Sequence, residues 1–224
     1  SIFMELVCEF YSQTVANFAA KEIRPLAEEI DRTDTWPDGM WKKLGGLGVL
    51  GATIDTAYGG VGLDLLSGAL VGEELAKVSP SISISYGAHA NLCSNNIKLN
   101  GHEEQKQKYL PSLCSGDHVG ALGLTEPNAG SDAVSIQTTA REEGDHFVVN
   151  GSKTFITNGV IADTIILYAK TDRQAGAKGI TAFILEKSFP GFSVSRKLDK
   201  VGNRGSETGE LIMEDCIIPG ENVL

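Results

Sequence analysis

LGLTEPNAGSD, residues 122–132, is the stretch that decides how this chain of 224 residues is interpreted. Small and polar residues follow Leu124, so the backbone can approach a ligand closely. Hydroxyls and backbone N–H groups in such a segment can meet a polar ring or a phosphate, and Pro127 stiffens the turn. The same residue types also build ordinary surface turns, and composition alone does not separate these two interpretations.

The composition is that of a globular protein. Apolar residues make up 42% of the chain and charged residues 21%. At 224 residues, the chain is long enough to bury a core in one or two domains. No apolar run approaches the roughly 18 to 20 residues of a membrane span. The first residues carry no basic, cleavable leader and read as a helix already under way. We therefore expect that a targeting peptide was left out or never existed.

Charge and cysteine content narrow the functional classes. The net charge of −10 at pH 7 argues against a nucleic-acid groove, because phosphate contacts need clustered Lys and Arg. A small basic pocket for a phosphate-bearing ligand remains compatible with it. The cysteines Cys8, Cys93, Cys114 and Cys216 are scattered without a CxxC pair. This favours a reducing intracellular compartment over a zinc or redox site.

The pattern of the chain changes near residue 119. Before it, apolar residues recur at spacings of three and four, which predicts a series of helices, with Pro25 as a kink inside the first. After it, β-rich runs alternate with Gly, Pro, Asp and Asn. This order predicts an α+β fold, with an all-α helical domain over residues 1–118 and a β-barrel or sandwich-like domain over residues 119–224.

Two local patterns need a separate interpretation. Residues 146–149 and 152–157 are β-rich and flank Asn150-Gly151, so we predict a hairpin with its turn at this dipeptide. GLGVLG at residues 46–51 matches the dinucleotide pattern GxGxxG letter by letter. That pattern requires a preceding strand and a following helix, whereas here a helical segment precedes and a loop follows. We reject a nicotinamide site on this ground.

We call LGLTEPNAGSD, residues 122–132, the motif. Together with the strand end Phe155-Ile156-Thr157-Asn158 and the α-then-β order, it resembles the acyl-CoA dehydrogenase family over essentially the whole chain. Tyr58-Gly59-Gly60 resembles that family too. YGAHANLC at residues 86–93 and LDK at residues 198–200 are most similar to its isovaleryl branch. The resemblance implies FAD-dependent α,β-dehydrogenation of a short branched acyl-CoA, foremost isovaleryl-CoA, to the 2-enoyl-CoA. It also implies electron transfer to an electron-transferring flavoprotein.

By the same resemblance, two segments would bind the flavin. Thr125 would place its hydroxyl near the N1/O2 edge, Thr157 would bond N5, and Phe155 would cover the ring where most family members carry Trp. A plainer interpretation makes Phe155 an inward-facing strand residue. The residues assigned to the cofactor are Leu122, Gly123, Leu124, Thr125, Glu126, Pro127, Asn128, Ala129, Gly130, Ser131, Phe155, Ile156 and Thr157.

The resemblance also implies a substrate site and an assembly. Ser131 would face the CoA portion, although it could equally serve as a turn or cap residue. Ala177 and Lys178 correspond loosely to a loop that meets CoA phosphates, with a solvated Lys178 as the alternative. The full-length protein would be a homotetramer, in the mitochondrial matrix of a eukaryote or otherwise in the cytoplasm. We assign no metal site.

No residue of this chain is assigned as the catalytic base. Glu126 and Asp132 lie in the motif, but a carboxylate there is expected to order the loop through backbone N–H groups. In the isovaleryl branch the catalytic glutamate belongs to a C-terminal helical bundle, which we expect beyond Leu224. Two alternatives stay open: an oxygen-reacting flavin enzyme of the same fold, either an acyl-CoA oxidase or a monooxygenase, and a non-catalytic CoA-binding or assembly module.

Overall fold

A computed structural model describes the backbone of residues 2–224 and the side chains from residue 9 onward. The first half of this part is helical. Its α-helices are α1 (Ile2–Phe18), α2 (Ala27–Thr33), α3 (Met40–Gly46), α4 (Leu65–Ala76), α5 (Pro80–Gly87), α6 (Asn95–Asn100) and α7 (Glu103–Ser115). Two π-helical segments extend the helices, Ala19–Ile23 after α1 and Ala88–Ser94 between α5 and α6.

The helix boundaries follow from capping chemistry and proline. Asp64 precedes α4 and accepts a hydrogen bond of 2.9 Å from the Ser67 N–H. His102 and Gln105 form a reciprocal capping box at the start of α7. The predicted kink at Pro25 is confirmed, because α1 runs through a π-helical and a 3-10 turn before α2 continues. Side-chain caps therefore fix the starts of α4 and α7, and the proline fixes the break between α1 and α2.

The second half of the described chain forms one sheet. Its strands are β1 (Gly120–Gly123), β2 (Thr139–Glu143), β3 (His146–Ile156), β4 (Thr164–Lys170), β5 (Ile180–Glu186), β6 (Phe192–Lys197) and β7 (Gly209–Pro219). The order is β1-β4-β2-β3-β7-β6, with β5 paired to β4. β4 pairs in parallel with β1 near its start and with β2 at its end. Residues 124–138 therefore leave the sheet between β1 and β2, and we call them the excursion.

The predicted α+β architecture is confirmed. The β domain takes the form of a single curled half-barrel sheet, and its strands are packed on the helices by apolar side chains of α6, α7, β4 and β5. The last helix ends at Ser115 and the first strand begins at Gly120. The predicted domain limit between residues 118 and 119 falls in this connection and stays a prediction.

The predicted hairpin at Asn150-Gly151 is wrong. β3 runs straight through this dipeptide, and the turn of the β2–β3 hairpin is Gly144-Asp145, with Gly144 at φ 66. Gly151 is needed for a different reason, since a Cβ there would lie 2.4 Å from the Thr138 hydroxyl oxygen. The Asn150 side chain exchanges two hydrogen bonds of 2.9 Å with Asp215 at a bulge of β7.

His89 joins the two domains in the interior. Its Nε2 donates to the Leu113 carbonyl at 3.0 Å, and its Nδ1 accepts from the Gly120 N–H at 2.9 Å. The ring is fully buried and lies 5.1 Å from the ring of Trp41. Both nitrogens are satisfied in the neutral form. Burial lowers the pKa of His89 to about 4, so the residue has a structural role.

We expect the stability of the protein to fall as the pH drops from about 6.5 to about 4. An unfolded His89 takes up a proton near the ordinary pKa of 6.5, whereas the folded one does so near 4. Between these values the unfolded state binds more protons, which is worth about 3 kcal/mol over the whole window. Urea unfolding of the wild type across this pH range measures the slope.

The matched variants are His89→Gln and His102→Gln. His89→Gln removes the titrating group, so the part of the slope that belongs to it should disappear. His102→Gln changes an exposed histidine at the start of α7 and should keep that part. If the wild type and His89→Gln share one slope between these pH values, His89 is not the source of the pH dependence.

Candidate functional site

The excursion begins with a tight turn. The backbone N–H and carbonyl groups of Glu126 and Ala129 bond each other at 2.9 and 3.1 Å. Ala129 is buried, which pins the turn on its inner side. The exposed residues of the motif are Pro127, Asn128, Gly130, Ser131 and Asp132. The motif therefore presents small and polar groups to solvent from a fixed backbone.

The end of β3 lies beside this turn. The Thr154 N–H donates to the Thr125 carbonyl at 2.9 Å. The pairing of β3 with β7 slips by one residue here, and Phe155 sits in this bulge at φ 58 with 69% of its side chain exposed. Ile156 is buried and Thr157 is half-buried. The structure thus brings together the two segments that the sequence assigned to the cofactor.

Asn158 holds this strand end against both domains. It is fully buried with φ 64, a conformation that asparagine tolerates better than most residues. Its Nδ2 donates to the Ser85 carbonyl of α5 at 2.9 Å and to the Gly120 carbonyl of β1 at 3.0 Å. The neighbouring Thr157 is thereby fixed relative to the helical domain.

A buried ion pair lies under the turn. Lys153 is 0% exposed, Glu126 is 5% exposed, and Nζ lies 2.7 Å from Oε1. The same Nζ donates to the Leu124 carbonyl at 3.1 Å. Glu126 also accepts from the Gln137 N–H at 2.5 Å, the Thr138 N–H at 3.0 Å and the Thr138 hydroxyl at 2.5 Å. The expectation that Glu126 orders the loop through backbone N–H groups is confirmed.

The electrostatics of this pair exclude Glu126 as a base. Burial raises the pKa of the Glu126 carboxyl, but hydrogen bonds from Lys153, Thr138 and two backbone N–H groups outweigh it and bring the pKa below its ordinary value. Burial lowers the pKa of the Lys153 ammonium, and the bond to Glu126 opposes that shift. Since the carboxylate is buried under the turn and bonded to Lys153 and three further donors, it is not placed to accept a substrate proton.

Lys153 was not predicted from the sequence, although strand alternation carries the signal. Val149, Gly151 and Lys153 follow each other at alternate positions of β3, and Val149 is fully buried. A lysine on the same strand face as a core valine needs a buried anionic partner. Counting alternate residues from Val149 would have identified it. The acidic residue of the motif is that partner.

The loop assigned to CoA follows the C-terminal end of β4. The motif begins at the C-terminal end of the parallel strand β1. Ala177 and Lys178 are exposed within the 3-10 turn Gly176–Gly179 between β4 and β5. The loop follows Lys170, whose N–H donates to the Thr138 carbonyl at 2.8 Å. Thr138 is also the partner of Glu126, so a chain of direct bonds joins the loop base to the motif. Lys178 makes no ion pair within the described residues.

Other kinds of site are not apparent in the described residues. They contain no group of three or more His, Cys, Asp or Glu that could hold a metal ion, and no helix long and apolar enough to cross a membrane. A cavity of about 430 Å³ lies beside α2 and Trp36, in the helical domain and away from the motif. Cys8 lies outside the described side chains, and the free, buried cysteines are Cys93, Cys114 and Cys216.

Glu126→Ala should lower the free energy of unfolding by about 3–5 kcal/mol, because it leaves the Lys153 ammonium buried without its counter-charge. Urea unfolding measures this loss. Glu73→Ala is the control, since it removes an exposed ion pair of 3.0 Å with Lys77 and should cost at most about 1 kcal/mol. Equally small losses in both variants would show that the buried pair does not hold the turn.

Family models match both halves of the chain. The model for the acyl-CoA dehydrogenase N-terminal domain matches residues 9–117, and the model for the middle domain matches residues 121–216. The mitochondrial isovaleryl-CoA dehydrogenase of Pongo abelii is 53% identical over 216 residues, which cover 95% of this chain and 51% of that protein. The chain spans about half the length of the curated relatives it matches.

Solved structures share the fold. Butyryl-CoA dehydrogenase from Megasphaera elsdenii superimposes with a TM-score of 0.94 at 42% identity, over 97% of this chain and 58% of the other. An acyl-CoA dehydrogenase complexed with FAD from Bacillus anthracis gives a TM-score of 0.87 at 39% identity, over 97% of this chain and 37% of the other. On the evidence of both matched domains and of these relatives, the chain belongs to the acyl-CoA dehydrogenase family.

Proposed function

We propose that the full-length protein is an FAD-dependent acyl-CoA dehydrogenase that converts a short branched acyl-CoA, preferentially isovaleryl-CoA, to the 2-enoyl-CoA. The observation that carries this proposal is the contact between the motif and the end of β3, through the Thr154 N–H and the Thr125 carbonyl. Family membership and the isovaleryl-CoA dehydrogenase relative support the reaction class and the substrate. Because a butyryl-CoA dehydrogenase shares the fold at 42% identity, the identity of the acyl group is the part of the proposal that needs a test.

The residues present fit a flavin. An isoalloxazine ring has flat apolar faces and polar edges, and Phe155 offers an exposed aromatic face of matching character. Within the described residues, the hydroxyls of Thr125 and Thr157 bond no other protein group, so both are free to bond a ligand. A Cβ added at Gly130 would meet nothing within 4 Å, so the motif faces open space.

Each of these side chains then has a defined task. FAD, when bound, supplies the hydride acceptor. The Thr125 hydroxyl would hold the N1/O2 edge and could donate to negative charge there. Thr157 would bond N5, Phe155 would cover one face of the ring, and Ile156 would pack behind them. The rigid strand end keeps these groups in register with the motif.

The substrate and the base involve other parts of the protein. Ser131 and the loop with Ala177 and Lys178 contact the CoA portion. Because Glu126 is buried and paired with Lys153, a carboxylate from outside this chain removes the α-proton. Electrons pass to an electron-transferring flavoprotein. We place the enzyme, as a homotetramer, in the mitochondrial matrix of a eukaryote or otherwise in the cytoplasm.

The full-length, FAD-loaded protein should show a kcat/KM for isovaleryl-CoA at least about tenfold above those for butyryl-CoA and palmitoyl-CoA. The reason is that the one methyl group by which isovaleryl exceeds butyryl is worth about this much in an apolar pocket, and that a pocket for a short acyl group does not accept the palmitoyl chain. Reduction of an electron-transferring flavoprotein is the readout. Equal activity on long straight chains would contradict the isovaleryl assignment, and rapid peroxide release would identify an oxygen-reacting flavin enzyme.

The 224-residue chain alone should not turn over isovaleryl-CoA and should bind FAD weakly. The proposed base lies outside it, in the C-terminal bundle that the family resemblance implies, and by the same resemblance that bundle would also hold part of the cofactor. Titration calorimetry with FAD and a dye-reduction assay measure the two properties beside the full-length protein. Steady dehydrogenation by the chain alone would place the base within these residues and contradict the assignment.

A further inference from the structure

Lys153 is a buried cation next to the proposed flavin segment that the chemistry above does not use. We propose that Lys153 is a positioning residue of the flavin site: its ammonium fixes the backbone of residues 124–126, and thereby aims the Thr125 hydroxyl at the pyrimidine edge of the ring. This role rests on the proposed FAD-dependent function. Under this proposal Lys153 orients Thr125, in addition to neutralising the charge of Glu126.

The contacts show how one lysine could do this. Its Nζ bonds the Leu124 carbonyl at 3.1 Å and the Glu126 carboxylate at 2.7 Å, which are two residues apart. The residue between them, Thr125, has its carbonyl held by the Thr154 N–H at 2.9 Å. Three consecutive residues are thus fixed from two consecutive residues of β3. The Thr125 hydroxyl is left without a bond to another described group, on an immobilised backbone.

Stability alone gives no reason for a charge at this place. A buried ion pair pays a desolvation cost that often equals its Coulombic gain, and apolar side chains of similar volume frequently stabilise a core equally well. Positioning gives such a reason, because one ammonium can bond a carboxylate and a backbone carbonyl at once, which an apolar side chain cannot do.

The test uses full-length protein with FAD and three variants. Lys153→Met keeps an unbranched side chain only one atom shorter and removes the charge and the donors. Lys153→Met combined with Glu126→Gln removes both charges. Ile218→Ala is the control, because Ile218 is fully buried in the same sheet and pairs with Phe147 at the other end of β3. It should lose stability by cavity formation without touching the motif.

Lys153→Met should bind FAD about tenfold more weakly, the loss of a charge-assisted hydrogen bond at the Leu124 carbonyl. Its flavin midpoint potential should move to a more negative value, because the Glu126 charge is left uncompensated. In the double variant the potential should return toward that of the wild type, while the affinity stays low. Ile218→Ala should unfold at a lower temperature but keep the wild-type affinity and potential.

The outcomes separate this role from the function on which it rests. A wild type that binds no FAD would overturn the proposed function and the role of Lys153 together. A wild type that binds FAD beside a Lys153→Met variant of unchanged affinity and potential would overturn only the positioning role. If Lys153→Met does not fold, the double variant decides in the same way by its affinity. Equal losses of affinity in Ile218→Ala would reduce Lys153 to an ordinary core residue.

Discussion

Two opposite charges lie inside the β domain, Lys153 on β3 and Glu126 in the excursion after β1. Neither could remain ionised there alone, because an isolated charge in a protein interior costs several kcal/mol. Gln137 and Thr138, just before β2, complete the shell around the carboxylate. One buried contact therefore ties the start and the end of the excursion to β3, and the motif between them takes its shape from it.

This contact lies at a discontinuity of the sheet. β4 pairs with β1 at its start and with β2 at its end, and the excursion leaves between them. The second half of β3 runs past the gap and ends in a bulge, where Phe155 has a positive φ that costs a non-glycine residue about 1–2 kcal/mol. Surrounding bonds, including those of Asn158, offset this cost. The result is an exposed aromatic ring on a rigid strand end beside a rigid turn.

The sequence predicted those features that follow from the periodicity of apolar residues and from local motifs. The order of helices and strands, the kink at Pro25 and the ordering role of Glu126 follow from local rules, and the structure agrees with them. The isovaleryl resemblance led to the proposed chemistry. Only that resemblance predicted that the motif would lie beside the end of β3. The spacing of the two segments in the sequence does not require this contact.

Tertiary packing decided where the sequence was misleading. Asn150-Gly151 has the local chemistry of a hairpin turn, yet the chain stays extended because Thr138 packs closely on Gly151 and Asn150 bonds a bulge of the neighbouring strand. Lys153 escaped prediction because a lysine is ordinarily exposed, and its partner lies in a segment distant in sequence. Both cases depend on contacts that no local window contains.

The most direct measurement is a crystal structure of the full-length protein with FAD. We expect the isoalloxazine ring between the motif and the end of β3, with the Thr125 hydroxyl at its N1/O2 edge and Phe155 against one face. Lys153 should remain bonded to the Leu124 carbonyl. Electron density for the ring at any other place on these two domains, with Thr125 and Phe155 free of it, would contradict the account.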